Sequence, residues 1–178
     1  MHLPLTLILR PGRAAFLAAA VAAPAALHGA VVLGSGAPAE PVGGALLLLA
    51  LAGSAIALGT LRPLVGRGAG IGLRAARAGL AATLLVEAGW LAFGSVPPAW
   101  ALAPAATVTA AGLWLLRGGA RRAGEPHAWC LPLLLVATTL GVPLAPWGGL
   151  VLLGGAWLAT AVSVWSAYAV PLRAAPAS

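Results

Sequence analysis

The sequence predicts an all-α fold: a polytopic transmembrane bundle of six helices, forming a single integral-membrane domain over residues 1–178. First, 61% of the residues are hydrophobic and 7% are charged, with a mean hydropathy of +1.01. A chain of this composition has too little polar surface to cover a water-soluble protein of its size. Second, the apolar runs are about 20 residues long, which is roughly twice a membrane barrel strand, and they lack its strict alternation. Third, the basic residues fall between these runs.

The six expected spans follow the apolar runs in chain order. They cover residues 14–35, 43–61, 78–96, 99–116, 128–145 and 149–170. Three of the connections combine Gly and Pro with an apolar or aromatic flank, a composition that ends one helix and starts the next. These connections are LGSGAPAEP at 33–41, FGSVPPAW at 93–100 and LGVPLAPW at 140–147.

The basic residues predict the orientation of the spans. All ten are arginines, and a six-span chain places every one of them on the same side of the membrane. Arginines of short loops stay in the cytoplasm, so both termini are predicted to be cytoplasmic and the chain to form three in-out-in hairpins in the cell membrane. An odd number of spans would move at least one cluster outside. The arginines are Arg10, Arg13, Arg62, Arg67, Arg74, Arg77, Arg117, Arg121, Arg122 and Arg173.

The first span has a second interpretation as a cleaved signal peptide. MHLPLTLILRPGR resembles a basic n-region, and APAE at 37–40 contains an A-x-A cleavage pattern. The apolar stretch between them is longer than a typical h-region. Cleavage would leave five spans and an external N-terminus.

Glu87 is the sharpest feature of the sequence, because the chain has only three acidic residues and this one lies inside a predicted span. Between Arg77 and Pro97 it is expected near the bilayer midplane, where a charged carboxylate costs ~2.5–3.5 kcal/mol on insertion scales. Helical spacing places Thr83 and Trp90 on its face. We therefore expect Glu87 to face the bundle interior and to be part of a polar site.

Several side chains are candidates to line that site for a ligand or a proton. Thr107 and Thr138 lie at comparable depths on other helices, and His28 is the only basic residue offset from Glu87 by as little as ~5 Å. His28 also shares a helix face with Pro24, which removes a backbone hydrogen bond. Two alternatives remain: a Glu87–His28 pair, or a neutral Glu87 that hydrogen-bonds to threonine or to a backbone carbonyl. The candidates are Glu87, His28, Trp90, Thr83, Thr107 and Thr138.

The charge and the cysteine count limit the partners and the chemistry. The net charge of +7 comes from arginines between apolar runs, which indicates membrane topology rather than nucleic-acid binding. Cys130 is the only cysteine, so CxxC motifs are excluded. The sequence indicates no catalytic residue, metal ligand or cofactor. GRGAGIGLRAARAG at 66–79 is interpreted as a flexible cytoplasmic linker. Anionic lipids are expected at the loop arginines Arg62, Arg67, Arg74, Arg77, Arg117, Arg121 and Arg122.

A ladder of small residues recurs at every fourth position of the first span. It consists of Ala18, Ala22, Ala26, Ala30 and Gly34, and such a ladder permits close helix packing. Six spans in a chain of this length with an AxxxA strip in the first helix resemble the substrate-binding subunits of energy-coupling-factor vitamin transporters. In that family the strip contacts the transmembrane partner. The resemblance covers size, span count and the strip, and no substrate-site motif.

Three function classes follow from these features. The leading hypothesis is a small-solute or proton-coupled transporter, or a membrane component of one, that uses a site at Glu87. The second is an accessory or structural subunit of a larger membrane complex, with a membrane-protein partner or a second copy of the chain against its helices. The third is a membrane-embedded enzyme that uses an intramembrane acid, which usually requires more than one ionisable group. We therefore lean away from an enzyme.

Overall fold

The computed structural model of the chain describes residues 5–35, 41–61, 70–95, 97–122, 124 and 128–173, with side chains described between Arg13 and Ser166. The regular elements are α1 (Leu5–Ser35), α2 (Pro41–Thr60), α3 (Gly70–Ala92), α4 (Ala99–Arg122), α5 (Cys130–Gly141), a 3-10 helix (Ala145–Trp147) and α6 (Leu150–Arg173). Every regular element of these ranges is helical, which confirms the all-α prediction.

Four helices are long and apolar enough, by length and composition, to cross a membrane. They are Arg13–Ser35 of α1, Val42–Thr60 of α2, and the whole of α3 and α4. Cys130–Gly141 and Leu150–Ser166 are shorter apolar helical segments, and the 12 residues of α5 extend only about 18 Å. The chain thus has the helices of a membrane protein. Six crossings, the three hairpins and the cytoplasmic termini stay predictions.

The helix ends differ from the predicted spans in a systematic way. α3 begins at Gly70 rather than 78, and α4 continues to Arg122 rather than ending at 116. The prediction ended spans at arginines, whereas Arg is a good helix former whose long side chain reaches water from inside a helix. The linker predicted at 66–79 is therefore helical from Gly70 onward. α5 ends at Gly141 rather than 145, since Pro143 has no N–H with which to continue the hydrogen bonds of the helix.

The helices form a closed ring in chain order. Each one packs mainly against its neighbours in the sequence, and α6 returns to pack extensively against α1. The most extensive interfaces are α3–α4 and α1–α6. Leu51, Leu113, Leu153 and Trp157 are fully buried and contribute to the core inside the ring.

Glycines allow the backbones of α3 and α4 to touch. A Cβ atom on Gly72 would lie 2.7 Å from the amide nitrogen of Leu116 and 2.8 Å from the carbonyl oxygen of Gly112. One Cβ atom on Gly79 would lie 2.8 Å from the carbonyl oxygen of Ala105. The two helices are therefore antiparallel, and they approach closely through small residues, as membrane helices often do.

The small-residue ladder of α1 is used within the chain. A Cβ atom on Gly154 of α6 would lie 3.0 Å from both the carbonyl oxygen of Ala22 and the amide nitrogen of Ala26. Ala26, Ala30 and Gly34 are nevertheless exposed. Part of the strip that the transporter resemblance would assign to a partner protein is thus contacted by α6.

Candidate functional site

His28 and Glu87 line the same small cavity. It has a volume of about 20 Å³ and lies between α1, α2 and α3, beneath the connections that follow α3 and α5. The remaining lining residues carry no polar side chain. They are Gly44, Leu47, Leu91, Pro97, Ala145 and Pro146.

The cavity lies near one end of the bundle. His28 is two turns before the end of α1, and Glu87 is less than two turns before the end of α3. Pro97 and Pro146, from the two connections, cover the cavity on that side. Arg77, at the start of α3, is ten residues or about 15 Å away along the helix axis. The described arginines are therefore at the opposite end from the site.

Both ionisable side chains are almost completely withdrawn from solvent. His28 is 2% exposed and Glu87 is 4% exposed. Among the described residues, the Nδ1 atom of His28 has no hydrogen-bond partner, and no ion pair joins the imidazole to Glu87. An unpaired buried polar group costs about 1–3 kcal/mol. The pair is thus a polar site inside an otherwise apolar cavity.

A hydrogen-bonded turn segment holds part of the cover in place. Between α5 and α6 the amide of Leu144 donates to the carbonyl of Leu140 at 3.1 Å, and the amide of Gly149 donates to the carbonyl of Leu144 at 2.8 Å. Gly148 adopts a φ of +85°, which an L side chain rarely does. Leu33 of α1 packs directly against Gly148. These contacts position Ala145 and Pro146 over His28 and Glu87.

The three candidate threonines lie away from the cavity. Thr83 and Thr138 are buried, and their hydroxyls donate to the carbonyls of Gly79 at 3.0 Å and Leu134 at 2.6 Å, one turn earlier in the same helix. Thr107 is exposed and donates to the carbonyl of Ala103 at 2.8 Å. Hydroxyls bonded in this way to their own helix are satisfied without a ligand. The polar side chains at the cavity are therefore His28 and Glu87.

Trp90 lines a different depression of the surface. This groove has a volume of about 570 Å³ and also includes Gly89, Phe93 and Trp100. Phe93 and Trp100 are exposed, whereas Trp90 is half-buried. Trp90 and Glu87, three residues apart on α3, thus line different cavities.

The sequence reasoning missed a hydrogen bond that crosses the ring. The indole Nε1 of Trp157 in α6 donates to the hydroxyl of Ser54 in α2 at 2.8 Å, and that hydroxyl donates to the carbonyl of Ala50 at 2.7 Å. Both side chains are buried. Trp in membrane proteins prefers the interfaces, whereas Trp157 lies in the middle of an apolar run. That unusual position was the sequence signal for a buried hydrogen bond.

The described arginines form a basic end of the bundle. None of them makes an ion pair within the described residues. Arg117 stacks over the ring of Trp114, with its guanidinium carbon 5.0 Å from the ring centroid. Arg74, Arg77, Arg121 and Arg122 are exposed, while Arg62 and Arg67 lie outside the described residues. Within the described ranges no group of three or more His, Cys, Asp or Glu residues could hold a metal ion.

Neither a protein-family model, nor a curated protein, nor a solved structure matches this chain. We therefore infer the function from the geometry of the His28–Glu87 cavity.

Proposed function

We propose that the protein is a membrane carrier in the cell membrane, in which His28 and Glu87 form the proton-binding site of a proton-coupled transport process. One observation supports this above all others. Two buried ionisable side chains from different helices share a cavity, and no other described residue of its lining has a polar side chain. Ionisable residues inside apolar membrane helices are costly and commonly belong to proton or ion pathways.

The resting state of the pair is uncharged in this proposal. Charge on either side chain alone is disfavoured, since no third described group at the cavity compensates it. No direct ion pair joins the two within the described residues, which leaves the neutral carboxyl and the neutral imidazole as the state of lowest cost. The site then takes up a proton on His28 or releases one from Glu87 when it opens to bulk water.

Access to the site from the loop end is controlled by the connections. Pro97 and Pro146 line the cavity on that side, and the buried Leu51 and Trp157 belong to the core inside the ring. A carrier would move the loop segments to connect the site with one side, and would repack the core to connect it with the other.

The experiment that tests this proposal is proton flux into liposomes that contain the purified protein. A potassium gradient with valinomycin sets the membrane potential, and an enclosed pH-sensitive dye reports the flux. We expect Glu87→Gln and His28→Gln to abolish the protein-dependent flux, because neither replacement exchanges a proton at this site. Glu125→Gln, the same chemical change in a predicted cytoplasmic loop, is the control and should behave like the wild type.

Two results would contradict the proposal. One is a wild-type flux no faster than that of protein-free liposomes under every gradient applied, which would favour the accessory-subunit hypothesis if a large membrane partner also copurifies. The other is a wild-type flux that both site variants retain in full.

A further inference from the structure

We infer that the cavity between His28 and Glu87 binds a single water molecule, which hydrogen-bonds to both side chains and makes water and the proton the ligand class of this site. The binding of the water depends only on the cavity. Its role as a proton relay rests on the proposed function.

The volume of the cavity limits the size of the ligand that it can bind. To hold one water molecule, a cavity needs a volume of about 10–15 Å³, and this cavity has a volume of about 20 Å³. Two waters would need about 20–30 Å³, which the cavity reaches only at the lower limit, and an organic solute would need far more. In this conformation the cavity is therefore the right size for one water and too small for a metabolite.

The walls of the cavity favour a bound water over a dry void. A buried water requires about 2–4 polar partners. The imidazole of His28 and the two carboxyl oxygens of Glu87 supply them, and no described residue hydrogen-bonds to the Nδ1 atom of His28. Apolar cavities of this kind stay dry, so without these two side chains there would be no reason for water to enter.

A water in this position connects the two ionisable groups. The O–H bond of the Glu87 carboxyl breaks as its proton passes to the water, and the water in turn gives one of its own protons to an imidazole nitrogen of His28, where an N–H bond forms. The water is regenerated, and the net change is one proton moved from Glu87 to His28. The same route in reverse restores the neutral pair.

The described neighbours contain no other titratable group that could take over this role. The described side chains of α2, of the 3-10 helix and of α6 up to Ser166 include none. Those on the remaining helices, besides His28 and Glu87, all lie at the opposite end of the bundle. They are Arg13, Arg74, Arg77, Arg117, Arg121, Arg122 and Cys130. Glu40 lies outside the described residues. Any proton exchanged within the described part of the cavity therefore belongs to His28 or Glu87.

The test is solid-state NMR of the full chain in lipid bilayers, measuring polarisation transfer from water to the Glu87 carboxyl carbon and to the His28 ring nitrogens. The composition makes the assignment simple. In a background with Glu40→Gln and Glu125→Gln, Glu87 is the only glutamate, and replacing His2 and His127 by Gln leaves His28 as the only histidine. We expect transfer to both groups from a water that exchanges slowly with bulk water.

A matched pair of glycine variants removes the water without changing either ionisable group. A Cβ atom on Gly44 would lie 3.0 and 3.1 Å from the two methyl carbons of Leu91, and both residues line the cavity. Gly44→Ala should therefore fill it and abolish the transfer. Gly89→Ala is the control, because a Cβ atom on Gly89 meets nothing within 4 Å, and it should retain the wild-type transfer.

Failure of this inference is distinct from failure of the proposed function. Absence of transfer in the wild type, transfer to only one of the two groups, or transfer that survives Gly44→Ala would each overturn the bound water, even if proton flux in liposomes is observed. Slowly exchanging water on both groups, lost in Gly44→Ala, would support it even in a protein that shows no flux.

Discussion

The close approach of α3 and α4 predicts a large effect for a single added methyl group. Gly112 lies at the crossing, where a Cβ atom would be 2.7 Å from the Cα atom of Ala76 and 2.8 Å from the carbonyl oxygen of Gly72. Both neighbours are backbone atoms, so Gly112→Ala requires the helices to separate. Overpacking of this kind costs about 1–3 kcal/mol.

A second glycine on the same helix removes the main complication. Alanine stabilises a helix relative to glycine by about 0.5–1 kcal/mol, which would hide part of the steric cost. Gly118 is also in α4, and the nearest atom to its Cβ position is the side-chain nitrogen Nη2 of Arg122 at 3.9 Å. Gly118→Ala therefore gains helix propensity without a steric clash. The difference in the free energy of unfolding between Gly112→Ala and Gly118→Ala then gives the steric cost alone.

The measurement is reversible unfolding by SDS in mixed micelles, followed by far-UV circular dichroism. We expect the free energy of unfolding of Gly112→Ala to be about 1–3 kcal/mol below that of Gly118→Ala. Equal stability of the two variants would refute the backbone contact between α3 and α4.

Three further predictions test other parts of the structure. A double-mutant cycle of Trp157→Phe and Ser54→Ala should give a coupling free energy of about 0.6 kcal/mol and at most ~1.7 kcal/mol, as for other hydrogen bonds between membrane helices, and a coupling of zero would contradict the bond. Gly148→Ala should lower the free energy of unfolding by about 1–2 kcal/mol because of its left-handed backbone, whereas Gly155→Ala, with nothing within 4 Å of its Cβ position, should not. Fusions to a reporter active only outside the cytoplasm should be dark after residues 67, 120 and 178 and bright near 38, 97 and 146, and a bright fusion at 178 would rule out six spans.

The sequence predicted the helical class because apolar runs of this length have few other solutions. It could not predict where α3 begins, since Arg74 and Arg77 are compatible both with the end of a span and with a helix that continues beyond the membrane. Pro143, by contrast, was a usable signal for the end of α5, and the predicted span that reached 145 ignored it.

The candidate site was predictable in its two ionisable residues and not in its surroundings. His28 and Glu87 are rare residue types in long apolar runs, so composition alone singles them out. The lining by Pro97, Ala145 and Pro146 depends on the path of two connections, which only the tertiary packing determines. Thr83 was placed on the face of Glu87 by helical spacing, yet the sequence cannot show that its hydroxyl bonds to its own helix.

The hydrogen bond between Ser54 and Trp157 also depends on tertiary packing that the local sequence does not specify. Their partnership depends on the closure of α6 onto α1, which brings α6 beside α2 across a separation of 103 residues. No local pattern in either helix specifies that pairing. Once the ring is known, a buried indole N–H requires an acceptor, and Ser54 provides it.

The protonation of Glu87 in the bilayer tests the central claim most directly. In the background where Glu87 is the only glutamate, infrared difference spectroscopy during a change from mildly acidic to mildly alkaline buffer reports the C=O band of the neutral carboxyl. We predict that this band is present at neutral pH, is lost reversibly on alkalinisation, and changes position in His28→Gln. An ionised Glu87 at neutral pH that is indifferent to His28→Gln would contradict the claim that the two side chains form one buried proton-binding site.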